Sequence, residues 1–215
     1  MKRLILFGGS GGLGKQLVPL LEDKYALTAL SSKDVDITKY CEVEEFFRKN
    51  PTDILINMSG VNYNSFLHKI GEGNLDDAKR MVEVNVNGNI NLLASCLPQM
   101  RDQNYGRVIL ISSVLADKNV PGTGIYSASK SFLDKLVQTA SMENISKGVT
   151  CNSIQLGYFD GGLTHKIHET LKEGVLNTIG LKRWGRVKEL AGTLEYLINT
   201  EYVTGANLLV SGGLK

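Results

Sequence analysis

Short apolar runs alternate along the chain with segments in which apolar residues recur at helical spacing. The apolar runs predict six strands, at residues 4–7, 26–30, 54–57, 108–112, 150–156 and 207–210. The helical spacing predicts helices at residues 14–22, 42–49, 76–100, 127–145 and 187–199. Strands that lack polar alternation and are separated by helices are typical of a parallel sheet covered on both faces. Since crossovers between parallel strands are right-handed, we expect an α/β fold with a doubly wound parallel sheet flanked by helices.

One domain, residues 1–215, accounts for this pattern, because the chain is long enough for one sizeable core and shows no linker or repeat. Residues 157–186 depart from the pattern, since they contain glycines and are poorly periodic. We expect this segment to leave the core as a substrate loop.

Composition excludes several classes of function. A net charge of +2 without a basic stripe is evidence against a nucleic-acid partner. No run approaches the ~18–20 apolar residues of a membrane span, so no membrane partner is expected. The three cysteines are far apart and form no CxxC, which predicts reduced thiols in a cytoplasmic protein. His165 and His168 lack an obvious third ligand, so we expect no metal site.

A glycine-rich string, FGGSGGLG, follows the first predicted strand directly. Glycine suits a backbone that turns with positive φ or that a phosphate approaches closely, and the next helix offers free N–H groups. This position between strand and helix predicts Rossmann-type dinucleotide binding, although a tight turn without a ligand is the alternative. The candidate phosphate-binding residues are Gly8, Ser10, Gly11, Gly12, Leu13 and Gly14.

Polar residues at fixed spacing follow this turn along the chain. Tyr126 and Lys130 form a YxxxK motif, and Ser113 ends the predicted strand thirteen residues before Tyr126. Asn85 lies in the string VNVNG, and the string NMSG at residues 57–60 closes another predicted strand. Each feature also has a purely structural interpretation. Tyr126 and Lys130 could be a surface helix pair, and Ser113 could merely end a strand. Asn85 could be a polar residue that hydrogen-bonds local backbone groups.

Together these motifs resemble the short-chain dehydrogenase/reductase family, in its single-domain form, over essentially the whole chain. The resemblance implies an NAD(P)(H)-dependent oxidoreductase that transfers hydride between a nicotinamide cofactor and a small carbonyl or alcohol substrate. The expected activity is similar to that of reductases of 3-oxoacyl thioesters. By resemblance, the catalytic residues are Asn85, Ser113, Tyr126 and Lys130. Further cofactor contacts implied by it are Asp36, Ile37, Asn57, Ser59, Gly60, Leu156, Gly157 and Phe159, with Tyr126 and Lys130 also in this set.

The chemistry of these residues suits carbonyl reduction. Tyr126 can act as general acid in reduction, and an ammonium at Lys130, one helical turn away, is expected to lower the pKa of the phenol. Ser113 can hydrogen-bond the substrate oxygen as charge develops. The resemblance adds that Lys130 contacts the nicotinamide ribose and that Asn85 holds a water molecule. It also marks departures, among them Leu156 in place of proline and Gly161 in place of a threonine beside the nicotinamide.

Asp36 has two open interpretations. It resembles the family residue beside the adenine ring, on which Ile37 would pack. It could instead cap the next helix, a role for which Thr38 is the better candidate.

The end of the second predicted strand favours NADP(H) over NAD(H). NAD enzymes of this fold usually carry an acidic residue there for the ribose 2′-hydroxyl, whereas this chain has Ser31, Ser32 and Lys33. Two hydroxyls and an ammonium are compatible with a 2′-phosphate, and Lys15 could add a second positive charge. Asp34 leaves NAD(H) open, because it follows directly.

Two other functions remain open at this stage. A non-catalytic dinucleotide-binding regulator would need only the glycine turn, so an intact set of catalytic residues is evidence against it. A sugar-nucleotide enzyme shares YxxxK but usually has a larger C-terminal domain. The resemblance also implies a homodimer or homotetramer formed through residues 76–100 and 127–145. Apolar residues that could serve this contact, or belong only to the core, are Val84, Ile90, Leu93, Phe132 and Leu136.

Overall fold

Six parallel strands form one sheet in the structure, a computed structural model that describes residues 1–71 and 73–214. The strands are β1 (Arg3–Phe7), β2 (Ala26–Leu30), β3 (Ile54–Asn57), β4 (Gly106–Ser113), β5 (Val149–Leu156) and β6 (Asn207–Val210). The order across the sheet is β2-β1-β3-β4-β5-β6, and every neighbouring pair is parallel. The doubly wound parallel sheet predicted from the apolar runs is therefore confirmed.

Helices cover both faces of this sheet. The helices are α1 (Gly12–Leu21), α2 (Tyr40–Lys49), α3 (Leu75–Val82), α4 (Gly88–Asp102), α5 (Gly124–Asn144), α6 (Glu169–Thr178) and α7 (Val187–Asn199). Buried apolar residues of α2, α4 and α5 pack on one face, and those of α1 and α7 pack on the other. The interior strands are buried along their whole length, which explains the absence of polar alternation in their sequence.

The helix expected at residues 76–100 is two helices joined by a π-helical turn. This turn, Glu83–Asn87, connects α3 to α4 without leaving the helical path. A π turn inserts an extra residue into the helical repeat, and such turns are frequent at functional sites. Asn85 lies in its middle and is fully buried.

The segment at 157–186 is more regular than its sequence suggests. It contains a short 3₁₀ turn, Gly162–Lys166, and the ten-residue helix α6. Its position beside the carboxyl end of β5 is the one expected for a substrate loop.

The apolar residues considered for subunit contact lie mostly inside the molecule. Val84 and Leu93 belong to the buried core, and Phe132 and Leu136 are partly buried against it. Ile90, by contrast, is 42% exposed. The core interpretation therefore holds for Val84 and Leu93, and Ile90 is the member of the set best placed to meet another subunit. No helix of the described part of the chain is long and apolar enough to cross a membrane.

The sheet has a switch point at β1. The chain passes from β1 to β2 on one side and then returns to β3 on the other side. In such sheets a crevice opens at the carboxyl ends of the strands beside this point, and ligands bind there. The glycine turn follows β1, Asn57 ends β3 and Ser113 ends β4, so the predicted site residues meet at this edge.

Candidate active site

The glycine turn is closed so tightly that side chains would not fit. Gly8 has φ +81°, and a Cβ on Gly14 would meet the Gly8 carbonyl oxygen and the Gly9 Cα. Helix α1 begins at Gly12 with no side-chain cap and no acidic residue in its first turn. The first N–H groups of α1 are therefore free of side-chain anions, and their cradle suits a phosphate.

The loop after β5 lies directly on this turn. The backbone of Gly162 occupies the position that a Cβ on Gly12 would take. The Leu13 side chain lies against Gly161. Gln16 Nε2 donates to the carbonyl oxygens of Gly12 (3.2 Å) and Asp160 (3.0 Å). The predicted phosphate site and the start of the predicted substrate loop thus share one surface.

The tip of β2 carries a carboxylate in spite of its serines. Asp34 Oδ2 accepts from the Ser31 amide at 2.8 Å and from Ser31 Oγ at 2.6 Å, and these bonds lower the pKa of Asp34. The Lys33 amide donates to Ser31 Oγ at 3.2 Å. Ser31, Ser32 and Lys33 lie where a cofactor ribose is expected, but Asp34 already uses the donors of Ser31.

Neither Asp36 nor Thr38 caps α2, so the capping interpretation is wrong. The cap position of this helix is Lys39, which makes no side-chain cap hydrogen bond. Asp36 Oδ1 instead accepts from the Thr38 amide and hydroxyl, at 3.0 and 2.8 Å. Ile37 is buried against Gly88 of α4. The roles of Asp36 and Ile37 beside an adenine remain predictions.

Tyr126 lies at the start of α5 and is 7% exposed. Burial raises the pKa of Tyr126, and the neighbouring Ser113 side chain offsets part of that rise. The expected lowering of the Tyr126 pKa by Lys130 is therefore wrong for this structure, in which burial is the largest effect. A phenol in this state keeps its proton through neutral pH and can donate it.

Lys130 faces the same crevice as Tyr126, as the four-residue spacing predicts. Its Nζ lies 5.7 Å from the centroid of the Tyr126 ring and donates to the Ile111 carbonyl oxygen at 2.7 Å. The side chain is fully enclosed, and burial lowers the pKa of Lys130 to about 8. A Cβ on Gly60 would lie 3.4 Å from this Nζ, so glycine at 60 leaves the ammonium room.

A chain of buried asparagines links β3 to this centre. Asn57 Nδ2 donates to Asn89 Oδ1 (2.8 Å), and Asn89 Nδ2 donates to the Asn85 carbonyl oxygen (2.9 Å). The Asn85 side chain bonds both the amide and the carbonyl of Val61, and its Nδ2 donates to Ser129 Oγ at 3.1 Å. Sequence reasoning missed Asn89, although its four-residue spacing from Asn85 was an available signal.

Other predicted cofactor residues are fixed by short backbone contacts. Asn57 Oδ1 accepts from the Ser59 amide at 2.9 Å, which bends the chain towards Gly60. Leu156 ends β5, and the Gly157 amide donates to the Val210 carbonyl oxygen at 2.9 Å. Phe159 is 3% exposed and belongs to the core.

The histidines make local polar contacts. His165 Nε2 lies 3.0 Å from Asp160 Oδ1, and His168 Nδ1 lies 2.8 Å from Thr170 Oγ1. Within residues 1–71 and 73–214 no group of three potential metal-ligating side chains is found.

The crevice therefore combines a phosphate cradle with a proton donor, a neighbouring hydroxyl and a buried ammonium. This arrangement can hold a dinucleotide along the carboxyl edge of the sheet and deliver a proton beside it.

Comparisons with known proteins agree with this chemistry. The profile of a family described as enoyl-(acyl carrier protein) reductase matches residues 15–215. A 3-oxoacyl-[acyl-carrier-protein] reductase of Staphylococcus epidermidis is 27% identical over an alignment of 243 positions, gaps included, that covers 99% of this chain and 98% of that protein. An acetoacetyl-CoA reductase of Allochromatium vinosum is 31% identical over 166 residues, 76% of this chain and 66% of that protein. The solved structure of a gluconate 5-dehydrogenase from Burkholderia cenocepacia, in complex with NADP and tartrate, has a TM-score of 0.88 at 21% identity and covers 99% of this chain and 94% of its own.

Proposed function

Because this chain belongs to the short-chain dehydrogenase/reductase family, we propose that it uses NADPH to reduce the 3-oxo group of acyl thioesters. The chain is an NAD(P)-binding oxidoreductase that acts on carbonyl or alcohol groups. Support for the thioester class comes from the 3-oxoacyl and acetoacetyl-CoA reductases among its relatives.

Each residue of the crevice has one part in the proposed reaction. NADPH, when held in this crevice, would supply the hydride that the carbonyl carbon accepts. Tyr126 gives its hydroxyl proton to the carbonyl oxygen, and the Ser113 hydroxyl stabilises the charge that develops on that oxygen. Lys130 holds a positive charge behind Tyr126 and offers its remaining N–H groups to the cofactor ribose. Asn85 fixes the loop at Val61, which borders the same space.

The observation that carries this proposal is the cluster of Ser113, Tyr126 and Lys130 beside the glycine cradle. The test is NADPH oxidation, followed by absorbance, with acetoacetyl-CoA, a longer 3-oxoacyl thioester, a simple ketone and a keto sugar acid. Higher kcat/KM for the two thioesters supports the proposal. Turnover of the sugar acid alone would instead place the chain with the sugar-acid dehydrogenases of this fold.

The pH dependence of reduction follows from Lys130. Its pKa of about 8 means that the ammonium is present below pH 8 and is lost as the pH rises through that value. Tyr126, whose pKa is raised, stays protonated over this range. We expect kcat/KM for reduction to be level below about pH 7 and to fall above pH 8. A profile that instead falls towards acid between pH 8 and 6 would contradict this assignment.

NADPH is the proposed cofactor because the Ser32 hydroxyl and the Lys33 ammonium at the β2 tip can bind a 2′-phosphate, and the donors of Ser31 can join them once Asp34 releases them. We expect a Kd at least about tenfold lower for NADPH than for NADH, as one or two charge-assisted hydrogen bonds would produce. Asp34→Asn is expected to tighten NADPH binding further and to leave NADH unchanged, since Asp34 competes for the Ser31 donors. Calorimetric titration decides, and tighter NADH binding would refute the preference.

We also propose a homodimer or homotetramer of a single-domain subunit whose residues 157–186 line the substrate site. The exposed Ile90 on α4 supports the subunit contact. Light scattering at micromolar concentration should give two or four times the subunit mass of 23.5 kDa. A monomer would refute it, and Ile90→Glu should lower the assembled fraction if α4 forms the contact.

The three free cysteines support a cytoplasmic location.

A further inference from the structure

Two buried and oppositely charged residues lie one helical turn apart on α5. Lys130 is 4% exposed and Asp134 is 5% exposed. Residues four apart share a helix face, with Cβ atoms about 5–6 Å apart. Among the described residues neither side chain belongs to an ion pair. Because an uncompensated buried charge is costly, this pair needs an explanation.

Neutral donors from β5 hold the carboxylate of Asp134. Ser153 Oγ donates to Oδ1 at 2.6 Å, and Gln155 Nε2 donates to Oδ2 at 2.7 Å. The same Gln155 nitrogen donates to Asp117 Oδ2 at 2.7 Å. A carboxyl group that accepts hydrogen bonds on both oxygens is favoured in its ionised form. The strand therefore holds both oxygens of the Asp134 side chain with neutral donors and brings no positive charge to them.

The Lys130 ammonium is anchored on the other side, through its bond to the Ile111 carbonyl oxygen of β4. Burial favours the neutral amine, and the field of Asp134 acts in the opposite direction. The other titratable groups near this pair are Tyr126, which is neutral at working pH, and Asp117, which reaches Asp134 through Gln155. The charge that favours the ammonium is thus the one on Asp134.

We propose that Asp134 is a positioning residue, a buried counter-charge that keeps Lys130 protonated at neutral pH without touching it. Direct contact would draw the ammonium away from Tyr126, whereas a charge held by β5 acts over the intervening turn. The catalytic importance of this effect rests on the function proposed above for Lys130. The electrostatic coupling itself is a property of the free protein and can be measured there.

Titration of lysine side chains by NMR tests the coupling directly. In protein labelled with ¹³C-lysine, the Lys130 signal is the one missing from Lys130→Arg, and its midpoint is expected near pH 8. Asp134→Asn should lower this midpoint by about one pH unit or more. Ser153→Ala removes one hydrogen bond to Asp134 but keeps the charge, so the midpoint should stay in place. An unchanged midpoint in Asp134→Asn would overturn the proposal.

A second measurement leaves Asp134 intact, in case its replacement prevents folding. Coupling between two sites is reciprocal, so Lys130→Met should move the titration of the ¹³C-labelled Asp134 carboxyl to higher pH. An unmoved Asp134 titration would equally overturn the proposal. Neither titration needs cofactor or substrate, so inactivity on the thioester panel would refute the proposed reaction and leave the coupling measurable. In active enzyme, Asp134→Asn should also shift the alkaline fall of kcat/KM to lower pH.

Discussion

Replacing Tyr126 by phenylalanine is expected to lower kcat by about 10²–10⁴-fold, the usual contribution of a general acid. The change removes one hydroxyl and leaves the buried ring in place on α5. Since the phosphate cradle, the β2 tip and Lys130 are untouched, the Kd for NADPH should change little. The measurement is kcat with the best substrate of the panel, together with calorimetric titration of NADPH.

A matched control for this variant is Tyr25→Phe. Tyr25 is also largely buried, at 9% exposure, but it precedes β2 at the opposite edge of the sheet. Loss of this hydroxyl should leave kcat within error of the parent. Near-parental turnover by Tyr126→Phe would remove Tyr126 from the proton-transfer step.

The hydrophobic pattern was sufficient to predict the sheet because its strands are buried on both faces. The run RVILISS, for example, is apolar without alternation, and β4 is buried from Gly106 to Ser113. The chain order of strands and helices then leaves few topologies when crossovers are right-handed. The glycine turn, Asn57 and Ser113 reach one edge for the same reason, since each follows or ends a parallel strand.

The π turn between α3 and α4 could not be predicted from periodicity. Buried Met81 precedes the turn and buried Leu92 follows it, and one inserted residue does not visibly disturb the helical apolar pattern that they belong to. Asn85 was identified through resemblance alone, and its bonds to Val61 and Ser129 depend on residues distant in sequence.

The protonation behaviour of the site was also out of reach of the sequence. Spacing placed Lys130 on the same helix face as Tyr126 and suggested that the ammonium would be the main influence on the pKa of the phenol. Burial by β4 and β5 proves to be the larger effect for both groups, raising the pKa of Tyr126 and lowering that of Lys130. Such desolvation depends on how completely neighbouring strands enclose the helix, which local spacing does not encode.

Gly14→Ala is expected to abolish tight NADPH binding, with a loss of affinity of at least about tenfold. Its new methyl group would press on the Gly8 carbonyl oxygen and the Gly9 Cα, both of them backbone atoms that have no alternative rotamer. Relief requires α1 to move away from the turn, which should lower the free energy of unfolding by about 1–3 kcal/mol. Calorimetry with NADPH and thermal unfolding of the free protein measure the two effects.

Gly192→Ala separates this clash from the general effect of adding a methyl group to a helical glycine. Gly192 is exposed on α7, and a Cβ there would meet no atom within 4 Å. Since alanine favours helix over glycine by about 0.8–1.0 kcal/mol, this variant should be slightly more stable than the parent and bind NADPH equally well. The contrary outcome is a folded Gly14→Ala variant that binds NADPH as tightly as Gly192→Ala does. The glycine turn could then open without loss of NADPH affinity, and the cofactor phosphates would have to be held elsewhere.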